Sequence, residues 1–271
     1  MLFALLVLLA AIGLYLVTAY LVLPLLWSHH EHHPALAGMP RVTTTADGIP
    51  GDPLNVALIG TEAELVGAFA RAGWRQPAAL GLRADVGIGE SVLLDRPDPT
   101  APVSSLFFFG RLQDLAFEQE VGRSARQRHH VRFWRSDEAG ERGRPLWLGA
   151  ASFDRGVGLS HRTGQITHHI GPDLDAERDR LIASLVAAGQ LEVVYQVSGV
   201  GPTLHGRNGG GDRYYTDGEL DVGVLTPGNR VATRPPEHLA APPAVALKDW
   251  AWSQARPVLQ SALGANDAND E

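Results

Sequence analysis

Apolar and polar positions split the chain into an unbroken apolar run, a polar connector, and a long stretch where strand-like and helix-like patterns alternate. From Leu2 to Trp27 no residue carries a charge. At about 1.5 Å per residue this run makes a helix of roughly 39 Å, enough to cross a hydrocarbon core of about 30 Å with some tilt. Residues 1–28 are therefore expected to form an uncleaved transmembrane anchor. A cleaved signal peptide is the rival reading. It would be shorter and would follow a Lys or Arg, which this run lacks, although Ala35-Leu36-Ala37 imitates a cleavage site. Residues 29–46, rich in His, Pro, Gly and Thr, read as a stalk.

The pattern then becomes that of a folded domain, expected over residues 47–228. "LNVALIG" reads as a strand. "TEAELVGAFARAGW" reads as a helix with Thr61 as N-cap, Glu64 completing a capping box, Leu65, Val66 and Phe69 on the buried face, and Gly73 as the stop. The same order returns in "ITHHIGPDLDAERDRLIASLVAAGQ": a strand, Pro172 and Asp173 at a helix start, Leu181, Ile182, Leu185 and Val186 on one face, then Gly189. An internal duplication or convergent capping chemistry accounts for the likeness. "VSSLFFFG", "HHVRFWR", "PLWLGAASFD", "GVGLSH", "EVVYQVSG" and "LDVGVLTP" read as further strands, the last after an Asp217-Gly218 turn. Two main helices against about eight strands predict an α+β fold with a mainly antiparallel sheet, preceded by one N-terminal transmembrane helix. Residues 229–271 read as a Pro-rich extension with a helix interrupted at Pro257 and an acidic tail.

Composition narrows the chemistry. With no cysteine, thiol nucleophiles, thiolate metal sites and iron–sulfur clusters are excluded. Lys248 is the only lysine, which removes a P-loop or Schiff-base lysine from the main domain. A formal net charge of −7 argues against nucleic acid as a partner.

The segments "DGIPGDPLNVALIG", "FFFGRLQDLAFEQ", "RQRHHVRFWR", "LWLGAASFDRGVGLSHRTGQITHHI" and "GPTLHGRNGGGDRYYTDG" together resemble the LssY C-terminal domain family of bacterial membrane proteins, over nearly the whole extramembrane region. The resemblance implies a bacterial membrane protein working at or on membrane lipids; the single apolar run and the very short tail before it, ahead of a large domain, lead to the expectation of a single-pass inner-membrane protein with its domain in the periplasm. Larger relatives carry polytopic modules that look like DedA-type or lipid-phosphatase proteins. The motifs of that phosphatase class do not occur here as a set, so its activity does not carry over.

Three constellations could carry chemistry. In "SHRTGQITHHI", a two-residue Thr163-Gly164 turn would pair His161 with Ile166 and Leu159 with His168, placing His161 and His168 on one sheet face and His169 on the other. His129 or His130 on a neighbouring strand could add a third ligand. The candidate catalytic set is therefore His161, His168 and Asp154, and the candidate divalent-metal set is His129, His161 and His168. Histidines on a solvated sheet face need no metal, and the spacing matches no standard zinc signature.

In "RSARQRHHVRFWR", Arg123, Arg126, Arg128, Arg132 and Arg135 offer planar forks suited to phosphate, against the plainer reading of a solvated edge paired with Glu118 and Glu120. In "HGRNGGGDRYY", the glycines after Arg207-Asn208 could present N–H groups to an anion, and Asp212, Asp217 and Glu219 could hold a hard cation. Such a loop can equally be a plain flexible turn. Candidate ligand-binding residues are thus Arg128, Arg132, Arg207, Asn208 and Asp212. No G-x-S-x-G elbow occurs, and the stalk's "HHEHH" reads as a polar stop more than a metal trap.

The pattern supports two functional expectations: a membrane-anchored domain binding an anionic envelope ligand such as a phospholipid headgroup, or a hydrolase, metal-dependent or not, centred on His161 and His168. Both rest on the anchor. Carbonate washing is expected to leave the full chain with membranes and to release a chain lacking residues 2–28; recovery of the full chain in the wash would remove the anchor.

Overall fold

The computed structural model describes residues 2–22, 39–77, 106–122, 127–162, 164, 166–197, 205–241 and 243–267. Most of the stalk, Arg123, Arg126, Thr163 and residues 198–204 lie outside these. The chain opens with helix α1, Leu2–Val17, continued by a π-helical turn, Thr18–Val22. Within it Phe3–Tyr20 is long and apolar enough to cross a membrane, and none of it is buried.

The strands are β1 (Val42–Thr44), β2 (Pro50–Pro53), β3 (Val56–Ile59), β4 (Phe107–Phe108), β5 (Arg111–Leu112), β6 (Leu115–Glu120), β7 (Arg128–Ala139), β8 (Pro145–Leu159), β9 (Ile166–Ile170), β10 (Leu191–Val197), β11 (His205–Arg207), β12 (Arg213–Tyr215), β13 (Leu220–Leu225) and β14 (Glu237–His238). The helices after the anchor are α2 (Glu62–Arg71), α3 (Leu174–Ala187) and α4 (Pro243–Asp267). The main sheet runs β14-β10-β13-β3-β8-β7-β6, with β9 pairing the far half of the long β8. Among the strand pairs of the described residues only β13–β3 and β10–β14 are parallel, so the fold is α+β with a mainly antiparallel sheet. A smaller sheet, β2-β1-β4-β5, and the β11–β12 hairpin complete it.

Period-two alternation sorts the side chains of this sheet into two cores. Val56, Leu58, Val131, Phe133 and Trp147 face α2 and α3, where Leu65, Phe69, Leu181, Ile182 and Leu185 cover them. Ala57, Ile59, Trp134, Leu148, Ala150 and Val222 face the other way, toward Leu106 and Phe108 of the small-sheet region. The layers are helices, main sheet, small sheet.

Helix α2 begins as its sequence predicts: Thr61 accepts the Glu64 N–H while Glu64 accepts the Thr61 N–H at 2.8 Å. The carboxylate of Glu64 also receives Arg144 at 2.8 Å and the Gly228 N–H at 2.7 Å. Burial opposes its charge, but these donors hold its pKa down at about 2. Asp173 caps α3, accepting from the Ala176 N–H at 3.1 Å.

Two expectations are corrected. Helix α4 runs through Pro257 without a break. It is also docked: Trp252 donates to Asp175 at 2.8 Å, Arg256 grips Asp173 through Nε and Nη2, each at 2.9 Å, and Lys248 pairs with Glu219. The sheet likewise continues past residue 228, through β14.

The close approach of β3, β7 and β8 depends on Gly149. A Cβ there would stand 2.6 Å from the Phe133 ring and 2.7 Å from Val56 Cγ1. Gly149→Ala is therefore expected to lower unfolding free energy by about 1–3 kcal/mol in denaturant melts, the usual cost of overfilling a packed core; an unchanged midpoint would contradict this packing.

Candidate functional site

The same alternation that buries Val131 and Phe133 against the helices turns Arg128, His130 and Arg132 to the opposite face. There the register places Glu118 opposite His130 and His130 opposite Ser152, with Arg128 opposite Asp154. All six are buried. Arg128 bridges two carboxylates, Asp154 and Glu118, each at 3.0 Å, and its Nη2 lies 3.3 Å from His168 Nε2. Arg132 pairs with Asp52 of β2 at 3.3 Å, and Ser152 lies between Asp52 Oδ2, at 3.1 Å, and His130 Nε2, at 2.9 Å. Asp154 Oδ1 is 3.1 Å from His130 Nδ1, and its Oδ2 is 3.3 Å from His168 Nδ1. Neither contact is aligned as a hydrogen bond, so Asp154 Oδ1 and both Nδ1 atoms are buried without a hydrogen-bonded partner.

This network borders a cavity of about 90 Å³ whose wall includes Asp52, His130, Arg132, Asp154, Thr167, His168 and the loop Asn208–Gly210. Wider grooves of about 520 and 700 Å³ lie against α3; they are more open, the first bordered by Asp179, Asp221 and His238 and the second by Arg71 and Arg180. Burial holds the His168 pKa down to about 4 against the pull of Asp154, so this imidazole is neutral at neutral pH. Burial would raise the Asp154 carboxyl; His130, then His168 and Arg128, bring it well below the usual carboxylate range. For Glu118 burial wins over Arg128 and Arg75, and its pKa rises to about 7.

The histidine hairpin departs from its predicted register. Leu159 pairs with Ile166 and Val157 with His168, leaving a longer loop from residue 160 to 165. The physical cause is the glycine loop. Ser160 Oγ and the His161 N–H both donate to the Gly210 carbonyl, at 3.2 and 2.9 Å, and the Arg162 N–H bonds back to Ser160. His161 is thereby drawn out of the hairpin. It joins His169, whose Nδ1 meets Asp212 Oδ1 at 2.6 Å, with the two rings 5.2 Å apart.

The expected metal set is thus dispersed. His129 faces the helices, bonded to Glu177 at 2.6 Å, His168 sits with Asp154, and His161 lies with His169 and Asp212. Of the catalytic candidates, His168 and Asp154 come together and His161 does not join them. Arg128 and Arg132 are not a solvated patch, since both are buried against carboxylates. Arg207 donates to the Gly211 carbonyl at 2.7 Å and Asn208 caps the Asp212 N–H at 2.9 Å, so both shape the loop. Asp217 and Glu219, expected near Asp212, belong instead to the Arg178 and Lys248 cluster.

Sequence reasoning missed Ser152, Asp52 and the role of His169. Counting two back from Asp154 along β8 would have found Ser152. Nothing local announces Asp52, which arrives from β2.

Residues 36–220 match the model of a family described as LssY C-terminus. No curated protein and no solved structure matches the chain.

A sign follows from Glu118. Its folded pKa of about 7 lies above the ordinary 4.5, so folding takes up a proton between these values. Its contribution is fully present below about pH 4.5 and is lost as pH rises through about 7. His168 acts in the opposite sense, so the difference from a variant is the clean measure. Relative to Glu118→Gln, the natural chain is expected to lose on the order of 2–3 kcal/mol of stability between pH 4.5 and 7.5 in parallel denaturant melts; parallel pH profiles would overturn the assignment.

Proposed function

The chain belongs to the LssY C-terminal domain family, and from the cavity its fold encloses we propose that it is a membrane-anchored domain binding a small anionic group, such as the phosphate of a lipid headgroup or of another envelope molecule. The carrying observation is the cavity of about 90 Å³ under the loop Asn208–Gly210. Its size suits a phosphate-sized group and not a whole lipid, since sites for drug-sized ligands run from about 300 Å³ upward. Gly209 and Gly210 direct their N–H groups to no backbone carbonyl among the described residues, which leaves two adjacent donors at the wall, as in anion-binding nests. Asn208, His130 and His168 add polar atoms. Arg132, at the wall, and Arg128, behind it, pair with Asp52 and Asp154 and so offset the two carboxylates of the wall.

A hydrolase is the second reading, favoured by one arrangement: Ser152, His130 and Asp154 stand in the hydroxyl–imidazole–carboxylate order of a nucleophilic triad. It ranks second because Ser152 has no exposure and its single proton is shared with Asp52.

Gly210→Ala separates the readings from mere instability. Its Cβ would rest 3.5 Å from Asn208 Oδ1 and Thr167 Cγ2, ordinary contact that narrows the cavity without a clash. In calorimetric titration of the full chain with inorganic phosphate and glycerol 1-phosphate, this variant is expected to bind about tenfold more weakly, roughly 1.4 kcal/mol, with unchanged melting. Equal binding by both chains, or none by the natural chain at millimolar ligand, overturns the binding reading. Ester or phosphodiester turnover lost in Ser152→Ala would put the hydrolase first.

A further inference from the structure

We propose that His161, His169 and Asp212 bind one divalent transition-metal ion of the Zn²⁺ class, leaving a coordination position open to solvent. The inference does not rest on the cavity reading, although the two share the loop that ends at Asp212.

The three residues each offer a ligand atom, and all three atoms lie within 4.8 Å of one another. Asp212 Oδ1 is 2.6 Å from His169 Nδ1 and 3.7 Å from His161 Nε2. Metal–ligand bonds of about 2.0–2.2 Å at a tetrahedral angle set ligand atoms about 3.3–3.6 Å apart. The Asp212–His161 separation is close to this, and the Asp212–His169 contact would open by roughly 1 Å to admit an ion. Two imidazoles and a carboxylate are a ligand set that zinc and its neighbours accept with an exchangeable position, and three protein ligands are the number that leaves one.

Charge supplies an independent reason. The Asp212 side chain is only 1% exposed, yet among the described residues no Lys or Arg pairs with it; its contacts are the two imidazoles and the Ile170 N–H. A buried carboxylate with no Lys or Arg against it is a position where a bound cation would offset the cost of desolvation. The carboxylate is also aimed. Its Oδ2 accepts the Ile170 N–H at 3.0 Å, which turns Oδ1 toward the imidazoles.

The backbone positions the third ligand. The His161 N–H is held by the Gly210 carbonyl at 2.9 Å, and Gly211, with φ +95°, comes so close that a Cβ would lie 2.8 Å from His161 Cβ. Only glycine allows that approach. His161 is 53% exposed, so the open coordination position faces water. Its Nε2 lies beyond hydrogen-bond distance of the carboxylate and is free to turn to an ion. His169 would bind through Nδ1 with its proton on Nε2.

The stalk also carries His29, His30, His32 and His33, which can take up metal by themselves. The test therefore uses the full chain with those four changed to Ser as the parent, stripped with chelator and titrated with Zn²⁺ by calorimetry and with Co²⁺ by visible absorption. The parent is expected to bind one equivalent, to give the intense bands of four-coordinate Co²⁺, and to melt higher with Zn²⁺. His161→Gln and Asp212→Asn are each expected to weaken binding by more than about 100-fold, beyond the loss seen for outer-sphere partners. His161→Gln, altering a half-exposed side chain, should keep the metal-free melting temperature and so separates lost binding from lost fold. Absence of stoichiometric binding in the parent, or binding that both variants retain, overturns the site.

Discussion

Charge taken out of water must be answered where it lies, and that constraint organises this domain. Asp154, Glu118, Arg128, Arg132 and Asp52 are all buried on one face of the main sheet. Asp154, Glu118 and Arg128 are paired because the β6–β7–β8 register sets them opposite or beside one another, and Asp52 arrives from β2 to pair with Arg132. A one-residue slip of β7 would carry Arg128, His130 and Arg132 into the helix-facing core and send Val131 and Phe133 toward the polar cavity. Both errors are severe, so the register is fixed twice, by apolar contacts on one side and ion pairs on the other. Buried ion pairs are weak evidence for stability, since apolar side chains of like volume often serve as well.

The glycine loop Asn208–Asp212 is the second organising element, and it acts on parts distant in sequence. It closes on itself through the Asn208 N–H to the Asp212 carbonyl, at 3.0 Å, and the Gly211 N–H to the Asn208 carbonyl, at 3.1 Å. From that closed turn Gly210 pins Ser160 and His161, Asp212 receives His169, and Gly209 rests so near Thr45 that a Cβ would meet its methyl at 2.6 Å. One short segment thus ties the histidine hairpin to the small sheet. It forms part of the cavity wall and supplies a ligand to the proposed metal site, so occupancy of either would act on the other through a shared backbone.

Local rules made much of the fold legible. Thr61 with Glu64, Asp173, and the stripes of α2 and α3 are short-range chemistry, and the structure follows them. The opposite facing of His168 and His169 was also legible, because alternation needs no knowledge of partners. What failed was the reach of a turn: Thr163-Gly164 reads as a tight hairpin, but the Gly210 carbonyl, some fifty residues away, competes for Ser160 and His161 and wins. The arginines failed for the same reason. From sequence Arg128 and Arg132 look like a solvated patch, and only the arrival of Asp154 and Asp52 from other strands makes them interior groups.

The end of the domain follows from the same demand for partners. The family match stops at residue 220, the first residue of β13, which lies between β10 and β3 inside the main sheet. Within the match, Asp175 and Glu219 are buried acids, and burial pushes both carboxyls upward. Part of what compensates them comes from α4: the Trp252 indole donates to Asp175 and the Lys248 ammonium meets Glu219. Cutting the chain at residue 228 would take those donors away, leaving Asp175 to share Arg178 with Asp217 and Asp221. The Pro-rich segment before α4 thus leads to a helix that is docked on the folded body through Trp252, Lys248 and Arg256.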